Sequence, residues 1–152
     1  MILSRIFSKE CILLNLESED KDELFEEMTQ ALVSANPGLD RNKVLSALHE
    51  RESKMSTGIM HGIAVPHGTC ASVKGCIGAL GISRSGIDYE SLDGSPVHLV
   101  FMVLCGENED DLHLKVLKDL ASALQNPEFS KNIEEKKSAQ DDYDFLCGFD
   151  KS

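Results

Sequence analysis

Residues 51–68 read Arg51-Glu-Ser-Lys-Met-Ser-Thr-Gly-Ile-Met-His-Gly-Ile-Ala-Val-Pro-His67-Gly68. A helical apolar pattern ends near Glu52, a glycine-containing loop runs from Ser53 to Gly62, and Ile63-Ala64-Val65 then leads into a Pro-His-Gly turn. The proline pushes Val65 out of the helical region, so the short apolar run is extended. Pro66 has a fixed φ and holds the chain just ahead of the His67 imidazole. Gly68 carries no side chain and can take positive φ, which would let another molecule approach closely. His67 thus falls where a strand opens into a loop, the usual ligand-binding place of an α/β sheet.

Upstream of this stretch, Cys11 to Leu16 reads as a short buried strand. Ser18 reads as an N-cap, and Leu24, Phe25, Met28, Ala31 and Leu32 then share one helical face. Asn36-Pro37-Gly38 stops that helix, and Asp40 starts a second with Val44, Leu45 and Leu48 inward. Downstream, Gly75 to Ile82 and Val97 to Leu104 are strand-length apolar runs separated by the turn signal Asp93-Gly94. A third long helix follows Gly106, with Leu117, Leu120, Ala121 and Leu124 as its stripe, and Pro127 opens a short one. From Ser138 onward the chain is acidic and weakly patterned. The alternation predicts one α/β domain over residues 1–152, a central sheet covered by helices, with 138–152 as an acidic C-terminal segment of undecided structure.

Composition narrows the partners. The 152 residues carry 26 Asp and Glu against 15 Lys and Arg, a formal net charge of −11, and no tryptophan. Such a surface repels nucleic acid and anionic lipid, so neither is an expected partner, although it can still dock on a basic partner protein. No stretch is long and apolar enough to span a membrane, and the N-terminus lacks the apolar core of a signal peptide. The five cysteines form no CxxC pair. Reduced, buried thiols and a cytoplasmic location are expected.

A neutral imidazole is a competent nucleophile and can hold a phosphoryl group covalently. The roughly two negative charges that such a group brings need donors nearby. Arg51 offers a planar fork of them, although near a helix end it could equally face the dipole or pair with Glu50 or Glu52. Thr57, Gly58 and the adjacent amides could form an anion nest or a plain turn. His113, in the first turn of the helix after Gly106, could meet an anion at that helix end or simply face solvent. A metal-dependent hydrolase using His61, His67, His113 and Cys70 is the weaker reading, because the spacing fits no closed zinc motif. Neither a metal nor a cofactor is expected.

Ser56-Thr57-Gly58-Ile59 followed by Gly62-Ile63-Ala64-Val65-Pro66-His67-Gly68 resembles the signature of the type-2 enzyme IIA domains of the bacterial phosphotransferase system. These are the fructose, mannitol and nitrogen-regulatory kind. Leu3-Ser4, Lys21-Asp22-Glu23, Arg51-Glu52 and the pattern His113, Leu114, Leu117, Leu120, Ala121 extend the similarity over most of the chain. The resemblance implies a mixed central sheet flanked by helices and phosphorylation of His67 at Nε2, with His113 and Arg51 lining the phosphoryl pocket. It also implies a donor, the histidine-containing phosphocarrier protein, charged by enzyme I from phosphoenolpyruvate. The chain would then be a phosphotransferase component, a carrier rather than a stand-alone turnover enzyme. Met60 stands where a third glycine is common, and His61 beside it is unusual.

Within that resemblance two uses compete. A nitrogen-regulatory protein would bind target proteins differently in its two charge states, and the lack of a fused IIB segment leans this way. A sugar-specific component would instead pass phosphate to a IIB domain. A third possibility of another class is a non-catalytic interaction module that keeps the fold alone.

Overall fold

The computed structural model describes residues 2–151. In chain order it contains α1 (Leu3–Ile6), β1 (Phe7–Leu13), α2 (Lys21–Ala35), α3 (Arg41–Lys54), β2 (Gly58–Met60), β3 (Ile63–Ala64) and β4 (His67–Thr69). Then follow β5 (Cys76–Ile87), β6 (Val97–Cys105), α4 (Asp110–Leu124), α5 (Pro127–Glu135) and α6 (Ala139–Asp150). The six-stranded sheet is mixed, with five strands in the order β1-β5-β6-β3-β2 and β4 paired to β6 off that path. β5 and β6 run antiparallel, whereas β1 joins β5, and both β3 and β4 join β6, in parallel.

The apolar run of β6 is explained by burial on both faces. Side chains alternate across a strand, so Leu99, Phe101 and Val103 meet Leu3, Val116, Leu120, Phe129 and Leu146 from α1, α4, α5 and α6. Val100, Met102 and Leu104 enter the opposite core with Leu24, Phe25, Met28, Val44 and Leu48 from α2 and α3. The expected α/β class, with a central sheet between helices, is the observed one.

Helix ends follow side-chain capping. Asp20, not Ser18, caps α2 by accepting from the Glu23 amide at 2.9 Å, and the Ser18 hydroxyl donates to Glu27 instead. Asp40 caps α3 through the Lys43 amide, and Asn126 caps α5 ahead of Pro127. The segment after Ser138, weakly patterned in sequence, is helical. Ser138 caps it at the Asp141 amide, Leu146 is buried in the core, and Asp150 accepts from the Leu3 and Ser4 amides at the start of α1.

Two further differences from the sequence reading have physical causes. Cys76 and Cys105 are direct register partners on β5 and β6, with Cα atoms 4.1 Å apart, and form a disulfide. Cys11, Cys70 and Cys147 are free, so the expectation of five reduced thiols fails for that pair, which only strand register brings together. Part of the expected loop is a hairpin, because His61 (φ 49°) and Gly62 (φ 80°) form a two-residue turn between β2 and β3. Two positive φ values are what such a tight hairpin requires.

Candidate functional site

β3 and β4 lie along one edge of β6 and are parted by Val65-Pro66. Ile63 and Ala64 pair with Leu99 and Val100, whereas His67 opens β4 opposite Val103. Pro66 contributes no amide, but its carbonyl accepts from the Val103 amide at 2.9 Å and keeps the segment on the sheet. His67 is therefore held on a strand end rather than carried by a free turn.

The glycine after it serves the fold. A Cβ on Gly68 would lie 3.1 Å from the carbonyl carbon and oxygen of Ala47, so its bareness lets α3 pack against β4. The expected opening toward another molecule is thus filled by α3. That packing brings Arg51, in the last turn of α3, beside His67; its Nη1 donates to the Met55 carbonyl at 3.0 Å. From the other side, the first turn of α4 presents His113. The two imidazoles stand edge to face, ring centroids 5.6 Å apart at 81°. Arg51, Lys54, His67, Gly68 and His113 line a cavity of about 300 Å³. The structure thus unites three of the four sequence-selected residues around one space.

His67 Nδ1 lies 2.8 Å from the Val65 carbonyl oxygen. A carbonyl can only accept, so Nδ1 carries the proton and the neutral ring keeps the lone pair of Nε2. Burial lowers the pKa of His67. The Arg51 cation adds to that effect, while the Val65 carbonyl and the Glu52 carboxylate oppose it. His113 is likewise lowered, first by burial and then by His67, against Asp110. Both rings are accordingly neutral at pH 7. His113 Nε2 is buried with no hydrogen-bond partner among the described residues, a costly state unless a ligand group meets it. The arrangement can do nucleophilic chemistry at His67 and can donate to an anion from His113 and Arg51.

Thr57 is the exception. Its amide and hydroxyl, expected to face an anion, both point to Glu52 at 2.9 and 2.7 Å, and the Gly58 amide meets Ser56 Oγ. The nest is not formed because Glu52 takes both Thr57 donors and Ser56 takes the Gly58 amide. Thr57 instead borders a second, apolar depression of about 250 Å³ with Ile59, Val65, Leu92, Leu117 and Leu120, which also touches His67 and Arg51. Met55, Ile59 and Leu92 are exposed around it.

No motif in the sequence marks the buried contacts that Glu52 makes with Thr57 and Lys21, or Tyr89 beside Thr57. Glu52 continues the i, i+4 stripe of Val44 and Leu48, and a carboxylate on a buried stripe signals an internal partner. His61, at the hairpin turn, donates its amide to Asp93, and no group of three metal-ligating side chains occurs among the described residues. No helix among them is long and apolar enough to cross a membrane.

The family model described as "Phosphoenolpyruvate-dependent sugar phosphotransferase system, EIIA 2" matches residues 5–147. A fructose-specific EIIABC component of Bacillus subtilis (strain 168) is 40% identical over 99% of the chain, which spans only 24% of that longer relative. The crystal structure of nitrogen regulatory protein IIA-Ntr from Neisseria meningitidis superposes with a TM-score of 0.87 at 32% identity, covering 96% of this chain and 99% of that one. The Escherichia coli mannitol enzyme IIA, solved in complex with phosphorylated enzyme IIB, shares the fold with a TM-score of 0.77 at 22% identity, over 93% and 97% of the two chains.

Proposed function

The chain belongs to the EIIA 2 family of the phosphoenolpyruvate-dependent sugar phosphotransferase system, and from that premise we propose that it carries a phosphoryl group on Nε2 of His67. The observation that carries this reading is the bond from His67 Nδ1 to the Val65 carbonyl, which leaves Nε2 as the nucleophile. The donor is the phosphorylated histidine-containing phosphocarrier protein. The Nε2 lone pair attacks phosphorus, the new N–P bond forms as the donor N–P bond breaks, and that electron pair returns to the donor imidazole. His113, whose buried Nε2 has no hydrogen-bond partner among the described residues, donates from that nitrogen to a phosphoryl oxygen, and the Arg51 guanidinium balances charge across the cavity. Thr57 belongs to the wall of this site rather than to its donors. Met55, Ile59 and Leu92 give the partner an apolar rim beside the reacting ring.

Onward use divides the reading. In the regulatory branch, supported by the likeness to a nitrogen regulatory protein, the charge state of His67 governs binding to target proteins. The higher identity to a fructose-specific component favours a second reading, in which phosphate passes to a IIB domain. The phosphorylated protein, freed of donor and mixed with a fructose-type IIB domain, separates the two. Loss of the phosphoryl group to IIB within seconds supports transport, and retention supports regulation. Failure to become phosphorylated by the donor would leave only a non-catalytic interaction module.

A further inference from the structure

We propose that Glu52 is a positioning residue for the reactive histidine, acting through Thr57 and Val65 to hold His67 with Nδ1 protonated and Nε2 open. The proposal rests on the reading of His67 as phosphoryl acceptor. Glu52 is 8% exposed on the inner face of α3. Its two carboxylate oxygens accept from the Thr57 amide at 2.9 Å and the Thr57 hydroxyl at 2.7 Å, and Lys21 Nζ lies 3.3 Å from Oε1. A carboxylate only accepts, so the Thr57 hydroxyl must donate to it. Tyr89 Oη, 2.8 Å from Thr57 Oγ1, is then the donor of that contact.

The polarity of the network is therefore determined, and its backbone continues to the site. The Thr57 carbonyl accepts from the Val65 amide at 3.0 Å, and the Val65 carbonyl accepts from His67 Nδ1 at 2.8 Å. Pro66, with its fixed φ, is the only residue between Val65 and the ring it orients. Three donors on Glu52 meet the desolvation that a lone carboxylate on a buried stripe would suffer. The chain of bonds thus runs from a buried ion pair to the atom whose protonation decides which nitrogen is nucleophilic.

The test reads the His67 tautomer by ¹⁵N NMR of the unphosphorylated full chain at pH 7.5, beside the rate of phosphorylation by the phosphocarrier protein. Glu52→Ala is expected to spread the proton over both ring nitrogens and to slow phosphorylation on the order of tenfold or more, as loss of alignment does. Glu52→Gln, which keeps an acceptor for the Thr57 amide, is expected to recover most of both. A folded Glu52→Ala with the wild-type tautomer overturns the proposal. So does a Glu52→Gln as impaired as the alanine variant, which would assign the effect to charge. Should Glu52→Ala fail to fold, Thr57→Val cuts the hydroxyl link alone, and an unchanged tautomer there overturns the proposal as well. If the wild type accepts no phosphate, the carrier reading fails, while the tautomer still judges the relay.

Discussion

His67 and His113 face each other edge to face across the candidate site, with ring centroids 5.6 Å apart, yet they hold different hydrogen-bonding states. His67 has committed Nδ1–H to a backbone carbonyl, and His113 has a buried Nε2 with no partner among the described residues. On the proposed reading, one ring attacks and the other donates. His113→Ala should therefore slow phosphorylation of His67 by about 10²-fold, the usual cost of one lost donor to developing charge. Quench-flow with the phosphorylated donor measures it, and thermal melting should show a stable variant because the ring is only half-buried.

Acceptance of phosphate should persist below the ordinary histidine range. Burial and then Arg51 disfavour the charged His67 ring, so the neutral nucleophile survives to a pH under 6.5. Arg51→Ala should raise the His67 pKa, since a cation that opposes protonation is gone, and an NMR titration of the ring reads the shift directly. The same sign governs stability. His67 and His113 have folded pKa values below the unfolded one, so their contribution is present above about 6.5 and is lost as pH falls through the lowered values.

Gly68→Ala should damage fold and site together. The new Cβ would lie 3.1 Å from the Ala47 backbone, which cannot swing aside as a flexible side chain would. A cost of about 1–3 kcal/mol is expected from such overpacking, read by urea unfolding. Because Arg51 rides on the same helix, phosphorylation should also slow, with the His67 tautomer retained.

Asp142 predicts an opposite pH trend. It is fully buried in α6, neither carboxylate oxygen has a hydrogen-bond partner among the described residues, and burial pushes its pKa up to about 7, against the cations Lys136 and Arg84 and with Asp141 adding to the rise. A raised folded pKa gives stability that is present below the ordinary carboxylate value and is lost as pH rises through about 7. Asp142→Asn should therefore melt at a higher temperature than the wild type at pH 8, with the gap shrinking toward pH 5. Parallel melting curves at the two pH values check this.

Much of this architecture is legible in the residues because burial leaves simple periodic traces. β6 reads as a strand because both its faces are covered, and α3 reads as a helix because Val44 and Leu48 sit four residues apart. His67 stands out because a proline and a glycine restrict the chain on either side. What escaped depends on distant partners. α6 carries Asp142 where an apolar residue would mark its stripe, β4 is only three residues long, and Cys76 meets Cys105 only through strand register. Thr57 reads as a donor to an anion until Glu52, on the preceding helix, is seen to claim both of its donors. The backbone packing that makes Gly68 necessary lies on another element, so its reading as an open approach was local and incomplete.

Every role proposed for this site depends on His67 bearing phosphate. Intact-mass analysis after mixing the protein with phosphoenolpyruvate, enzyme I and the histidine-containing phosphocarrier protein tests it most directly, with His67→Ala in parallel. A single acid-labile phosphoryl adduct on the wild type, absent from the variant, is the predicted result. No adduct on the wild type, or an equal adduct on His67→Ala, would rule out His67 as the carrier.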